Sequence, residues 1–232
     1  MLNYFKLTHN YWWIRIKYEA ALKTFKKLNS PEEILILDAG CGNGYFSNIA
    51  SNYKKIIALD LKIINKDNNK NWVIADLINL PFKKNTFKIA VSFDVLEHIE
   101  DDNKALKEIF RVLKKSGLLF GSVPVSPILW GQHDELNKHY RRYRKRELLE
   151  KLSKTGFNNI DINLFGWTIF LIVYLYRKYK KILNIKKKTE DCINLPKFLN
   201  NFLFFFIKGD LEFSKKFNIT FGVSSIFKAQ KL

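Results

Sequence analysis

The chain has 232 residues, 47% of them hydrophobic, which suits one sizeable core and is too little for two independent domains. Its two cysteines, Cys41 and Cys192, exclude a disulfide scaffold and show no metal-ligand spacing, so a reducing, cytoplasmic setting is expected. The formal net charge of +18 divides into +5 over residues 1–29, 0 over 30–140 and +13 over 141–232, so both basic ends are expected to face something anionic: phospholipid headgroups, a phosphorylated substrate or nucleic acid.

Residues 1–25 mix aromatic residues with charges and lack the uninterrupted apolar stretch of a signal peptide. From His9 to Phe25 the apolar residues Trp13, Ile16, Ala20 and Phe25 recur at helical spacing, predicting an amphipathic helix ended by Asn29-Ser30-Pro31. Ile34 to Leu37 reads as a buried parallel strand, followed by a glycine turn and a helix from Tyr45 to Asn52. Further strands are predicted at 55–61, 72–75, 88–93 and 118–123. A helix is predicted at 101–113, with Gly117 just past its end. A helix at 146–154, a sixth strand at 160–164 and a last strand at 222–229 complete the pattern. Strands alternating with helices predict an α/β fold with a mostly parallel sheet, helices on both faces, and ligands at the carboxyl ends of the strands.

The turn Asp38-Ala39-Gly40-Cys41-Gly42-Asn43-Gly44 lets the backbone bend sharply and approach a ligand closely. A dinucleotide fingerprint places its third glycine three residues after the second; that position is Tyr45, and the third glycine is Gly44. A pyrophosphate cradle is therefore disfavoured. The stretch ILDAGCGNG resembles the first motif of class I S-adenosylmethionine-dependent methyltransferases, whose seven-stranded Rossmann-like sheet is the fold expected. The resemblance implies S-adenosylmethionine as cofactor, bound by Asp38, Gly40, Cys41, Gly42 and Gly44, with Asp38 and Gly40 beside its methionine part and Asp60 on the ribose hydroxyls. Asp76 and Leu77 would lie on the adenine, and Phe93 would also bind the cofactor.

A narrower resemblance joins HNYWW with Arg15, FDVLEHIED, FRVLKKSG, Leu129-Trp130, His133-Asp134 and HYRRY to a bacterial and archaeal methyltransferase group associated with glycan or lipid-linked sugar assembly. Methyl transfer from a sulfonium needs a positioned nucleophile, and a base where the acceptor is a weakly acidic hydroxyl. His98, His133 and His139 are the candidate bases, with His9 beside the first helix. Asp94, Glu97 and His98 resemble the divalent-ion site of ubiquinone-pathway O-methyltransferases, but the same tetrad is common in methyltransferases without a metal, and none is expected here. Arginine forks suit bidentate recognition of phosphate or carboxylate, so Arg141 and Arg142 with Tyr143, and Trp13 with Arg15, are expected to meet an anionic acceptor.

The expected organisation is an N-terminal helix packed on the site (1–29), a cofactor-binding core (30–164), a basic aromatic helical insertion (165–221) and a last core strand (222–232). The aromatic runs 165–176 and 198–207 are shorter than the roughly 17 to 25 residues needed to span a bilayer. Bordered by Arg177, Lys178, Lys180, Lys181 and Lys186 to Lys188, they read as interfacial helices or as a lid. The reading is thus an O-methyltransferase acting on a small or lipid-linked (glycan or isoprenoid) acceptor at the inner membrane face. Its rivals are an rRNA or tRNA methyltransferase, which the high pI favours, and a non-catalytic adenosylmethionine-binding protein. The proline-flanked tetrad of amino-target enzymes is absent at Ser92-Phe93-Asp94-Val95.

Overall fold

The computed structural model describes residues 11–27, 34–52, 55–62, 71–183 and 195–232. His9, the Asn29-Ser30-Pro31 stop, Lys186 to Lys188 and Cys192 lie outside them. Seven strands form one sheet: β1 (Leu35–Ala39), β2 (Lys55–Asp60), β3 (Asn71–Ile74), β4 (Phe87–Phe93), β5 (Leu113–Pro124), β6 (Phe157–Phe165) and β7 (Ser224–Lys231). Their spatial order is β3-β2-β1-β4-β5-β7-β6. β1 to β5 run parallel, and β7 lies antiparallel to both β5 and β6. The chain direction of strand addition reverses between β1 and β4, which opens a crevice at their carboxyl ends.

Alternating side chains feed two cores. In β1, Ile36 enters the layer formed with Ala21 and Phe25 of helix α1 (Trp12–Lys27) and Phe46 of helix α2 (Tyr45–Ser51). Leu37 and Ala39 enter the opposite layer, with Leu106 and Ile109 of helix α3 (Asp102–Val112) and Leu148 and Leu152 of helix α5 (Lys145–Thr155). In β4 the register shifts between Phe87 and Ile89, so Phe87 joins Ala90 in the α3 layer while Ile89 and Val91 face α1.

Gly117, expected beyond the end of a helix, lies inside β5. The helix stops at Val112 and β5 begins at Leu113, with Ser116 at φ 56° in the shifted stretch. A Cβ on Gly117 would sit 2.7 Å from the Lys114 carbonyl oxygen, which accounts for the glycine. The charge-free run 165–176 is not one helix either. Phe165 ends β6, Gly166 turns at φ 77°, and helix α6 (Phe170–Ile182) starts beyond it. Asp210 fixes that turn by accepting from the Gly166 and Thr168 N–H groups at 2.8 and 3.0 Å and from the Thr168 hydroxyl at 2.6 Å.

Asp210 belongs to helix α7 (Lys197–Phe217), which with α6 occupies the chain between β6 and β7. α7 buries Asn200, Phe204, Ile207, Leu211 and Ser214, a stripe at helical spacing, against α1 and the sheet edge. Its other aromatic residues, Phe198, Phe202, Phe205, Phe206, Phe213 and Phe217, are exposed. α6 buries no residue, and Leu171, Ile172, Leu175, Tyr176, Tyr179 and Ile182 face outward. None of the helices is long and apolar enough to cross a membrane among the described residues.

Candidate active site

The glycine turn leaves β1 with Gly40, Gly42 and Gly44 all at positive φ. A Cβ on Gly40 would overlap Val95 at 2.4 Å, whereas one on Gly42 would meet nothing within 4 Å. Gly40 therefore admits a close neighbour from the fourth strand's loop, and Gly42 borders open space where a ligand fits. The Gly42 N–H donates to Asp60 Oδ2 at 2.8 Å, so the carboxylate ending β2 pins the turn and retains lone pairs for further donors.

Asp38 is buried beneath the turn and accepts from the Ser47 hydroxyl at 2.6 Å. Burial, with the Asp60 charge adding to it, pushes its carboxyl up to about 7. Cys41 and Leu77 are buried, Asp76 is exposed and accepts from the Ile78 N–H at 3.1 Å, and the Phe93 ring packs on Tyr18 and Phe46.

Beyond β4 the backbone enters a strained turn at Asp94, φ 53°. One Asp94 oxygen accepts from the Ser122 hydroxyl at 2.8 Å, and the other pairs with Lys17 of α1. Burial would raise this carboxyl's pKa; the Lys17 ammonium overrides it and holds the group below its ordinary value. Lys17, itself buried, escaped the sequence reading although it stands four residues after Trp13 on the helix's apolar face.

Glu97 and His98 sit in a single 3-10 turn, Leu96–His98, rather than opening α3. Glu97 is 1% exposed, and its Oε2 has no hydrogen-bond partner. Burial and then the Asp94 charge raise its pKa well above the ordinary value. Burial likewise pushes His98 down to about 4, so it is a neutral imidazole at pH 7.

The loop after β5, carrying the short helix α4 (Gln132–Leu136), brings in the other two histidines. The His98 and His139 ring centroids are 4.5 Å apart, and those of His133 and His139 5.9 Å. All three candidate bases are thus side by side. His139 Nδ1 meets Asp134 Oδ1 at 3.0 Å, and the Tyr140 N–H donates to the Glu97 carbonyl at 2.7 Å, tying this loop to the 3-10 turn.

Asp134 is fully buried between Arg142 at 2.8 Å and Arg177 of α6 at 3.0 Å. Burial alone would raise its pKa, but the His139 hydrogen bond and the two guanidinium groups hold it far below the carboxylate range. Asp134 and Arg177 are not among the site residues expected from the sequence. The HD pair signals the first, and nothing local signals the second.

Arg142 and Tyr143, expected to meet the acceptor, are internal. Arg142 donates to Asp134 and to the Val125 carbonyl at 3.0 Å, and the Tyr143 hydroxyl donates to Asp102 at 2.7 Å. Arg141 also turns to Asp102, at 2.9 Å, because that carboxylate at the start of α3 is buried and needs cations. Arg15 stacks over Phe204 of α7, 3.7 Å from the centroid, and donates to Asn201, while Trp13 packs on Phe165. Arg15 thus ties α1 to α7, and Trp13 ties it to the end of β6.

Residues 37–121, from β1 to mid-β5, match a family profile described as a methyltransferase domain. A malonyl-acyl-carrier protein O-methyltransferase of Buchnera aphidicola subsp. Baizongia pistaciae is 31% identical over 207 residues, 76% of this chain and 81% of its own length. The chain belongs to the class I S-adenosylmethionine-dependent methyltransferases. An uncharacterized Methanocaldococcus jannaschii protein is 38% identical over 50% of this methyltransferase and 52% of its own length. A tRNA (carboxymethyluridine(34)-5-O)-methyltransferase of Arabidopsis thaliana is 34% identical over 40% of this chain and 24% of its own length. The methyltransferase thus spans about half, or less, of these last two relatives. The fold is shared with a Haemonchus contortus phosphoethanolamine N-methyltransferase bound to S-adenosylhomocysteine, at a TM-score of 0.56, 19% identity, and 92% and 52% coverage of this chain and that one. The family's cofactor is S-adenosylmethionine, and the open face of Gly42 beside Asp60 fits it.

Proposed function

We propose that this methyltransferase O-methylates a small or lipid-linked acceptor, carrying a glycan or isoprenoid, presented at an anionic membrane surface. The observation that carries the proposal is the placement of α6. One face of the helix, through Arg177, holds the Asp134 that orients His139; the other offers the exposed apolar row from Leu171 to Ile182, bordered by Lys178 and Lys181. An apolar face rimmed by lysines suits the acyl boundary beneath anionic headgroups. An acceptor emerging there is linked to the imidazole cluster through Arg177 and Asp134. In this reading α6 and α7 are an insertion of the core sheet that serves as the membrane-facing part, and α1 closes the site through Lys17 and Asp94. With Arg142 internal, the cations of α6 replace the HYRRY arginines as the contacts for an anionic acceptor.

S-adenosylmethionine supplies an electrophilic methyl group on a cationic sulfur. Gly40 and Gly42 let the backbone close around the cofactor, Asp60 accepts from its ribose hydroxyls, and Asp76 and Leu77 flank its adenine. Asp38 places a carboxylate beneath the turn for its cationic amino acid part. Because burial raises Asp38 to about 7, a bound cation must draw the proton off below that pH. Cofactor affinity is therefore expected to rise with pH up to about 7 and level off above, with the slope lost in Asp38→Asn; calorimetric titration at pH 5.5 to 8.5 measures it. A flat wild-type profile would remove Asp38 from this role.

The decisive assay supplies tritiated S-adenosylmethionine with an anionic-lipid fraction or with total RNA. Label extracting with lipid is expected. Label in RNA would favour the nucleic-acid reading that the basic C-terminal part and the tRNA-modifying relative support. Cofactor binding with no transfer to any fraction would leave a binding protein.

A further inference from the structure

We propose that Glu97, His98 and His139 form a binding site for one divalent transition-metal ion. Each of the three offers a ligand atom, and these atoms lie within 4.8 Å of one another. Around an ion with bonds of about 2.1 Å, ligand atoms stand about 3 to 3.5 Å apart, so the three side chains close in by about an ångström on loading.

Two independent features favour an ion over a polar cluster that is complete as it stands. First, Glu97 is 1% exposed and its Oε2 aims at no donor. A buried oxygen without a partner is costly, and a cation held with the two imidazoles satisfies it. Second, His139 is supported as metal-ligating histidines are. Its Nδ1 faces Asp134, which fixes the tautomer and leaves Nε2 for a ligand bond, and Asp134 is anchored in turn by Arg142 and Arg177. His98 is held against the Asn137 backbone in the same way.

Asp94 is not in the set: its two oxygens are turned to Lys17 and Ser122, and the ligand atoms that come together are those of Glu97, His98 and His139. The site is thus built from the 3-10 turn and the loop after β5, not from consecutive residues at the end of β4. Two imidazoles and one carboxylate suit zinc, manganese, iron or cobalt better than magnesium or calcium, and leave coordination positions open.

The ion's task rests on the methyl-transfer reading above; its location does not. A hydroxyl drawn to an open position becomes more acidic and gives its proton to solvent. As the oxygen bonds to the methyl carbon, the carbon–sulfur bond breaks and its electron pair stays on sulfur, neutralising the sulfonium.

The test is equilibrium dialysis of the metal-stripped full chain against Zn2+ or Mn2+ at pH 7.5, with metal counted by mass spectrometry. One ion per chain is expected, with affinity at least tenfold lower in Glu97→Gln and His98→Ala, and about 10- to 100-fold lower in Asp134→Asn. Co2+ should give a visible d–d spectrum that the same variants lose. No stoichiometric binding by the wild-type chain, or binding indifferent to all three substitutions, overturns the proposal. Full methyl transfer by metal-free enzyme overturns the ion's task in the reaction, and leaves both the site and the methyl-transfer reading standing. An ion bound without transfer to any acceptor sinks that reading and keeps the site.

Discussion

Replacing His139 by alanine is expected to lower methyl transfer by about 10²- to 10⁴-fold while leaving cofactor affinity within about twofold. The separation follows from the fold. Apart from Phe93 at the end of β4, the residues proposed for the cofactor lie on or after β1, β2 and β3, whereas His139 comes from the loop after β5. His139 is also the point where two supports converge. Asp134 fixes its Nδ1, and the Tyr140 N–H on the Glu97 carbonyl fixes its loop. In the proposed reaction, removing the ring takes away the group that accepts the acceptor proton or helps hold the ion that acidifies it. It leaves Asp134 with both its guanidinium partners, so the fold should persist. Single-turnover transfer and cofactor titration on the same preparation measure the split. Activity within threefold of wild type would exclude His139 from the chemistry, and a parallel loss of cofactor affinity would point to a folding defect instead.

The sequence was most legible where one element carries its own signal. Buried parallel strands are short apolar runs, and β1, β2 and β4 fall within two residues of their expected bounds. The glycine turn and the carboxylates ending strands are local patterns, so Asp38, Asp60 and Asp76 could be placed on strand ends from spacing alone. The three histidines could be grouped because each follows the carboxyl end of one of two neighbouring strands, β4 or β5.

The arginines were not legible. A run such as HYRRY looks like a solvated cationic loop, but Arg142 and Tyr143 are drawn inward by Asp134 and Asp102, partners 8 and 41 residues away. Charge pairing across such distances leaves no periodicity in the sequence. The same holds for Arg177, which reads as part of the basic border of α6 yet reaches Asp134 43 residues back. Lys17 is the converse case, since its position on the apolar face of α1 marks it as internal, but Asp94 as its partner is a tertiary fact. Gly117 misled for a local reason: glycine after a helical pattern usually caps it, and here it relieves a crowded strand.

Asp134→Leu is expected to destabilise the protein more than any substitution among the histidines, by about 3 to 5 kcal/mol. Its carboxylate is fully buried and is the shared counter-ion of Arg142, whose side chain is 3% exposed, and Arg177, at 15%. Leucine fills the volume but leaves Arg142 charged and desolvated with only carbonyl acceptors, Val125 at 3.0 Å among them. An arginine cannot escape by losing its proton, so the penalty must appear as unfolding or as local opening. For a chain of this length the expected fall in Tm is about 10 °C. The double variant Asp134→Leu with Arg142→Met should recover much of the loss, because it removes the stranded charge together with its partner. Recovery of stability without recovery of transfer would show that Asp134 acts on the reaction only by positioning His139. A single variant as stable as wild type would mean that the guanidinium groups find solvent, and that the loop between β5 and α5 is not held by this ion cluster.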